Sequence, residues 1–92
     1  MDEKPEKSVH SHRFVETYDG LVAFGLNRET DENTVIYYLQ KLSDDALMRT
    51  LIPRLSEADL AGLFDSASLM LRRYLSEPEY HRLFLKEGTE EQ

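Results

Sequence analysis

Cysteine is absent from the 92 residues of this chain. Its absence excludes a disulfide framework, a thiolate zinc or iron–sulfur site and a cysteine nucleophile, and it fits a reducing cytosol. Long apolar runs are also missing, because nowhere do about 18 apolar residues follow one another as a membrane helix would need. The charged start, residues 1–7, is followed by no signal-peptide core. We therefore expect a soluble cytoplasmic protein.

Glycine is too sparse and too scattered to form a phosphate-binding loop. The four glycines at 20, 25, 62 and 88 match neither spacing of the nucleotide-binding motifs. A calcium-binding loop is missing as well, so the cluster Asp31-Glu32-Asn33 is better explained as a helix start. The sequence thus indicates no cofactor.

Basic residues are outnumbered, with 11 Lys and Arg against 18 Asp and Glu, which gives a formal net charge of -7. This charge repels nucleic-acid phosphates, so nucleic acid is an unfavoured partner unless one face is locally basic. A chain of this length has room for one hydrophobic core. We predict a helical domain over residues 13–87, between flexible tails at 1–12 and 88–92.

The segment from residue 13 to 26 allows two interpretations. Asp19-Gly20 between apolar flanks is the turn signal of a β-hairpin, but pairing the flanks leaves charged residues on both faces of the ribbon. On a helix, Phe14, Tyr18 and Leu21 fall on one stripe. The pattern favours a helix over 13–25, with Gly25 in a left-handed cap.

Four further helices are predicted over 31–42, 44–53, 57–75 and 77–87, which makes the fold class all-α, a compact bundle of about five short helices. A capping residue precedes each: Thr30 or Asp31, Ser43, Ser56 and Ser76. Ser56 and Ser76 are each followed three residues later by a carboxylate, the spacing of a capping box. Pro53 should end its helix near Leu51.

The helix over 57–75 carries the widest apolar face, and we expect it to be the central core helix. That face comprises Leu60, Leu63, Phe64, Ala67, Met70, Leu71, Tyr74 and Leu75. The helix over 31–42 is apolar around nearly its whole circumference, so we expect it to be covered on both sides.

Most charges lie where the helix dipole favours them, acidic at the starts and basic at the ends. Arg72 and Arg73 are the candidate basic patch, although the end of a helix is their ordinary place. His10 and His12 could chelate a cation but lack further ligands, so no metal site is predicted. His81 has no catalytic partner, and no catalytic residue or enzymatic activity is predicted.

The leading hypothesis is a small non-enzymatic protein–protein interaction or regulatory module that binds a protein partner or a second copy of itself. The candidate surface residues are Ile36, Tyr37 and Leu69, large apolar side chains that lie off the apolar faces of their own helices. The alternative is a helix-turn-helix nucleic-acid-binding protein over 34–52. Asp44 and Asp45 oppose it, because they would stand at the start of the recognition helix.

Overall fold

The computed structural model describes residues 10–87, and the all-α class is confirmed for them: they contain helices and no strand. The helices are α1 (Phe14–Thr17), α2 (Arg28–Leu42), α3 (Asp45–Leu51), α4 (Glu57–Tyr74) and α5 (Glu77–Glu79). A 3₁₀ turn, Ile52–Arg54, follows α3, and a π-helical turn, Tyr80–Phe84, follows α5.

The chain divides into two compact units between Pro53 and Arg54, called the first and second unit below. The predicted tails lie largely outside the described residues, which leave out 1–9 and 88–92, while residues 10–12 form neither helix nor strand. The single helical domain predicted over 13–87 stays a prediction.

The predicted helix over 13–25 is wrong, because only the four residues of α1 are helical. Tyr18 leaves the helix with an extended backbone (φ -68°, ψ 121°). Its hydroxyl donates to the carbonyl of Leu21 at 2.6 Å, and its ring covers the Cα of Gly20. A hairpin does not form either. Gly25 has the predicted positive φ, 100°, but within an irregular segment and not at the end of a helix.

Polar side chains of α2 bind the backbone of the irregular segment, which is residues 18–27, and of α1. The Thr34 hydroxyl accepts from the N–H of Ala23 at 3.0 Å and donates to its carbonyl at 2.8 Å. Asp31 Oδ1 accepts from the N–H of Gly25 at 2.7 Å, and Gln40 Oε1 accepts from the N–H of Val15 at 3.0 Å. The N–H groups of Ala23 and Gly25, which a longer helix would have paired internally, are therefore paired with α2, and so is the N–H of Val15 in the first turn of α1.

The start of α2 lies three residues earlier than predicted, because Asn27 is the N-cap and accepts from the N–H of Thr30. The cap of α3 is Asp44, whose Oδ2 accepts from the N–H of Leu47, and not Ser43, which donates to the carbonyl of Gln40. Ending α3 before Pro53 is confirmed.

Both predicted capping boxes of the second unit are confirmed. Ser56 accepts from the N–H of Asp59 at the start of α4, and Asp59 accepts in return from the N–H of Ser56. Ser76 and Glu79 make the same reciprocal pair at the start of α5. The predicted helix over 77–87 is shorter and changes type, since the N–H of Leu85 donates to the carbonyl of Tyr80 in a π-helical bond.

The expected burial of the α4 apolar face is wrong. Thr34, at 5% exposure, is the one buried residue among residues 10–87, and no hydrophobic side chain there is buried. On α4, Phe64 and Tyr74 are each 72% exposed. The capping boxes place the starts of α4 and α5 correctly, but the large apolar side chains of α4 are exposed among residues 10–87.

Candidate interaction surfaces

The first exposed apolar surface is a groove in the first unit between α2 and the irregular segment that α2 holds. Its volume is about 460 Å³ and its apolar walls come from Val22, Phe24, Val35, Tyr38, Leu39 and Leu42. The hydrogen bonds of Thr34 to Ala23 fix one wall against the other. We call this surface the α2 groove. Phe24 is 72% exposed at its edge, so the groove is open to solvent.

The second exposed apolar surface runs along α4 and is called the α4 stripe. It consists of Leu60, Leu63, Phe64, Ala67, Met70 and Tyr74, all of them exposed. At 100° per residue these positions fall within an arc of about 120°. From Leu60 to Tyr74 the stripe extends for about 21 Å at 1.5 Å per residue, within a helix of 18 residues. A continuous apolar surface of this length is typical of contact surfaces and not of scattered exposed residues.

Charges of opposite sign stand at the two ends of the α4 stripe. Glu57 and Asp59 lie in the first turn of α4, whereas Arg72 and Arg73 lie in its last turn. The guanidinium of Arg73 lies 6.0 Å from the ring centroid of Tyr74, a cation–π contact at the end of the stripe. The helix therefore presents an apolar surface that is acidic at one end and basic at the other.

The candidate surface residues Ile36, Tyr37 and Leu69 belong to different surroundings. Ile36, 40% exposed, borders the shallow depression between Phe24 and the start of α2. Tyr37 is half-buried, because its ring meets the Tyr18 ring at 5.8 Å. Leu69 is exposed on α4, about 160° from the centre of the α4 stripe. Tyr37 thus packs within the first unit, while Ile36 and Leu69 stay candidate contact residues.

Two further predictions concern the basic pair Arg72 and Arg73 and a helix-turn-helix over 34–52. Arg72 and Arg73 are exposed in the last turn of α4, where their charges complement the helix dipole. Two helices, α2 and α3, do flank the short connection Ser43-Asp44. The start of α3, however, carries the carboxylates of Asp44 and Asp45, and Asp44 is held there by its capping bond. This charge opposes binding of phosphates.

Several ionisable groups form local contacts at the surface. His81 Nδ1 lies 2.7 Å from Glu87 Oε1, and both side chains are about half exposed. The hydrogen bond from Arg28 Nε to Glu32 raises the pKa of Arg28. The N–H of Ser76, by donating to the Glu79 carboxylate, lowers the pKa of that group. These pairs explain local helix structure, and none of them converges with a second reactive group in a cavity.

Metal-ligating residues do not gather within the described part of the chain: no three of its His, Asp or Glu side chains lie together in a way that could hold a metal ion. His12 lines a depression with Asp44 and Asp45 at the end of α2, but the carboxylates there include the N-cap of α3. Among residues 10–87, the exposed apolar surfaces are therefore better developed than any group of metal ligands.

The sequence analysis missed the exposed aromatic residues of both surfaces. Phe24 was not singled out, and Phe64 and Tyr74 were assigned to a buried core. One sequence signal indicates the α2 groove: α2 is apolar around its circumference, and a chain this short offers few elements to cover it. The irregular segment covers only the Thr34 and Tyr37 side of α2.

Comparison of the chain with protein-family models, with curated proteins and with solved structures gives no match. Within residues 10–87, no helix combines the length and the apolar character that crossing a membrane requires.

Proposed function

We propose that this chain is a small, non-enzymatic protein–protein interaction module whose helices are stabilised when another protein chain covers their apolar surfaces. The observation that supports the proposal is the burial pattern: no hydrophobic side chain among residues 10–87 is buried, while the α2 groove and the α4 stripe are exposed. The cytoplasmic location expected from the sequence stays a prediction.

The physical argument concerns the free energy of folding. Ordering the backbone costs about 1 to 2 kcal/mol per residue, and burial of apolar surface is the main term that offsets this cost. Because no hydrophobic side chain among residues 10–87 is fully buried, this part of the chain gains only part of that offset by itself. A partner that covers the exposed surfaces would supply it, so folding and association are coupled in this proposal.

The test measures whether stability depends on association. Molar mass by light scattering and helix content by circular dichroism are recorded together over about a thousandfold range of chain concentration, and we expect both to rise together. A chain that associates with a different protein would instead stay monomeric, bind an apolar dye and show fast amide exchange in α4. A monomer with concentration-independent melting, no dye binding and protected α4 amides would contradict the proposal.

A further inference from the structure

We infer that the α4 stripe is the contact surface for a second copy of this chain, with the two α4 helices lying antiparallel. The inference rests on the proposed function and names the partner for one of its two surfaces. Two properties of α4 carry it: the spacing of the apolar residues, and the opposite charges at the two ends of the helix.

The spacing of the α4 stripe is that of a helix that packs lengthwise against another helix. Five apolar residues follow one another at alternating intervals of three and four residues: Leu60, Leu63, Ala67, Met70 and Tyr74. This alternation keeps one seam of side chains facing a neighbouring helix over the whole length of the contact. The seam covers about four turns of an exposed helix, from Leu60 to its last residue, Tyr74.

The charges that flank the seam select an antiparallel second copy. Asp59 and Arg73 lie on the same flank of the stripe, fourteen residues apart, in the first and last turns of α4. In an antiparallel pair the acidic end of each helix meets the basic end of the other, whereas a parallel pair would bring like charges together at both ends. The helix dipoles favour the same arrangement.

One register satisfies both properties at once. When the two-fold axis lies level with Asp65, Leu60 lies opposite Met70 of the second copy and Leu63 lies opposite Ala67. In this register Asp59 of one copy lies within about 3 Å, measured along the helix axis, of the level of Arg73 of the other, so the same pair forms twice. The larger side chains of one helix thus meet apolar side chains of the other.

The net charge of the chain limits what the ion pairs do. Two copies that each carry a formal charge of -7 repel one another at long range. Exposed ion pairs contribute little to affinity, so the apolar seam drives association and the Asp59–Arg73 pairs fix orientation and register.

The experiment reverses the two charges in separate full-length chains. Arg73→Glu makes both cross-pairs repulsive, and so does Asp59→Lys, but an equimolar mixture of the two variants can form a heterodimer in which both pairs are attractive. We expect each variant to dimerise about tenfold or more weakly than the wild type, and the mixture to recover most of that loss, apart from the cost of the α4 cap that Asp59→Lys breaks. Analytical ultracentrifugation gives the constants, and native mass spectrometry identifies the heterodimer by mass.

Arg72→Glu is the matched control. It makes the same charge change in the same helix turn, but Arg72 lies about 160° from the centre of the seam, whereas Arg73 lies about 100° from it, so the Arg72→Glu dimer should keep the wild-type constant. Asp59→Lys also breaks the capping box of α4, which is why recovery in the mixture is decisive: mixing restores the cross-pairs without repairing that cap.

Three results would overturn the inference. They are a wild type that is monomeric at all concentrations, an Arg72→Glu effect equal to that of Arg73→Glu, and a mixture that recovers nothing. The last two leave a dimer with another interface, and the proposed function survives them. A monomer whose α4 amides are already protected defeats the inference and the proposed function together.

Discussion

The two units of this chain differ in the sequence separation of the side-chain hydrogen bonds that hold them. In the first unit, α2 side chains bind the backbone of residues far from them in sequence, as in the bond between Gln40 and Val15. In the second unit, the capping bonds of α4 and α5 join residues three positions apart. The first unit therefore depends on particular tertiary contacts, whereas α4 is specified locally and keeps its apolar stripe available for another chain.

This difference explains where each unit should be sensitive to substitution. Local caps make a helix start at a defined residue, but a single helix of 18 residues is marginal in water without packing on one face. The first unit should fail when a polar contact of α2 is removed. The second should fail when the stripe can no longer be covered.

The largest expected effect comes from placing a charge in the α4 stripe. Leu63→Glu introduces a carboxylate into the proposed seam, where covering an unpaired charge costs several kcal/mol per copy. We expect the dimer to dissociate at every accessible concentration and helix content to fall with it. Sedimentation and circular dichroism on the same samples measure both.

Leu69→Glu is the matched control for this substitution, since it makes the same change on the other side of the same helix. We expect it to leave the dimer intact. If Leu69→Glu dissociates the dimer and Leu63→Glu does not, the contact surface is the one that the sequence pattern predicted at Leu69, and the α4 stripe is not the seam.

The next effect concerns the polar contact that defines the first unit. Thr34→Val keeps the shape of the side chain but removes both hydrogen bonds to Ala23, and we expect a loss of about 2 kcal/mol in the free energy of unfolding. Amide exchange at Ala23 should become faster, while the amides of α4 are unchanged. Denaturant unfolding at fixed chain concentration gives the free energy.

Thr34→Ser retains the hydroxyl and serves as the control, so the Ala23 amide should stay protected in it. Equal acceleration in both variants would mean that the methyl group of Thr34, and not its hydroxyl, holds the irregular segment.

A smaller effect on the free energy of unfolding is expected at Gly20 of the first unit and at Gly62 of the second unit, with opposite sign. A Cβ at Gly20 would stand 2.6 Å from the Tyr18 hydroxyl oxygen, so Gly20→Ala must displace the ring that bonds Leu21. At Gly62, inside α4, a Cβ meets nothing within 4 Å. We expect Gly20→Ala to lower the free energy of unfolding by about 1 kcal/mol and Gly62→Ala to raise it by a similar amount.

Thermal melting of the two variants at equal concentration measures this contrast. Stabilisation by both substitutions would show that Tyr18 moves aside at no cost and that its bond to Leu21 does not hold the segment.

The sequence predicted the structure where the decisive interactions are local. The boxes at Ser56 and Ser76 join residues three apart, and Pro53 has no N–H with which to continue α3, so these helix boundaries could be read from short patterns. The segment after Thr17 could not be predicted in this way. Its conformation depends on Thr34 and Asp31, and no local pattern shows that these side chains bind Ala23 and Gly25.

The candidate surfaces were half predictable for a related reason. Periodicity located the α4 stripe correctly on the helix, but the same pattern serves a buried core and a surface that another chain covers. The two possibilities are distinguished only by how exposed Phe64 and Tyr74 are, and exposure is a property of the folded chain. Ile36 and Leu69 were selected because they lie off such stripes, and that choice stays a prediction.

The smallest expected effect is a pH dependence confined to the start of α5. The pKa of Glu79 is lowered because its carboxylate accepts from the N–H of Ser76 at 2.8 Å. A carboxylate whose pKa is lower in the folded chain stabilises the fold above its ordinary pKa, and that stabilisation is lost as the pH falls through the lowered value. We therefore expect α5 to loosen at its start in acid, below the ordinary value of 4.5, while α2 and its hydrogen bonds to Ala23 are unaffected.

An NMR titration of the Glu79 carboxyl carbon and the Ser76 amide measures this dependence, and both should share one midpoint below 4.5. Glu79→Gln is the control, because the amide oxygen of Gln can still accept from Ser76 but does not titrate in this range. In that variant the Ser76 amide should lose its pH dependence. A Ser76 amide that keeps titrating in Glu79→Gln would assign the dependence to another carboxylate, and the start of α5 would then be held by something other than its capping box.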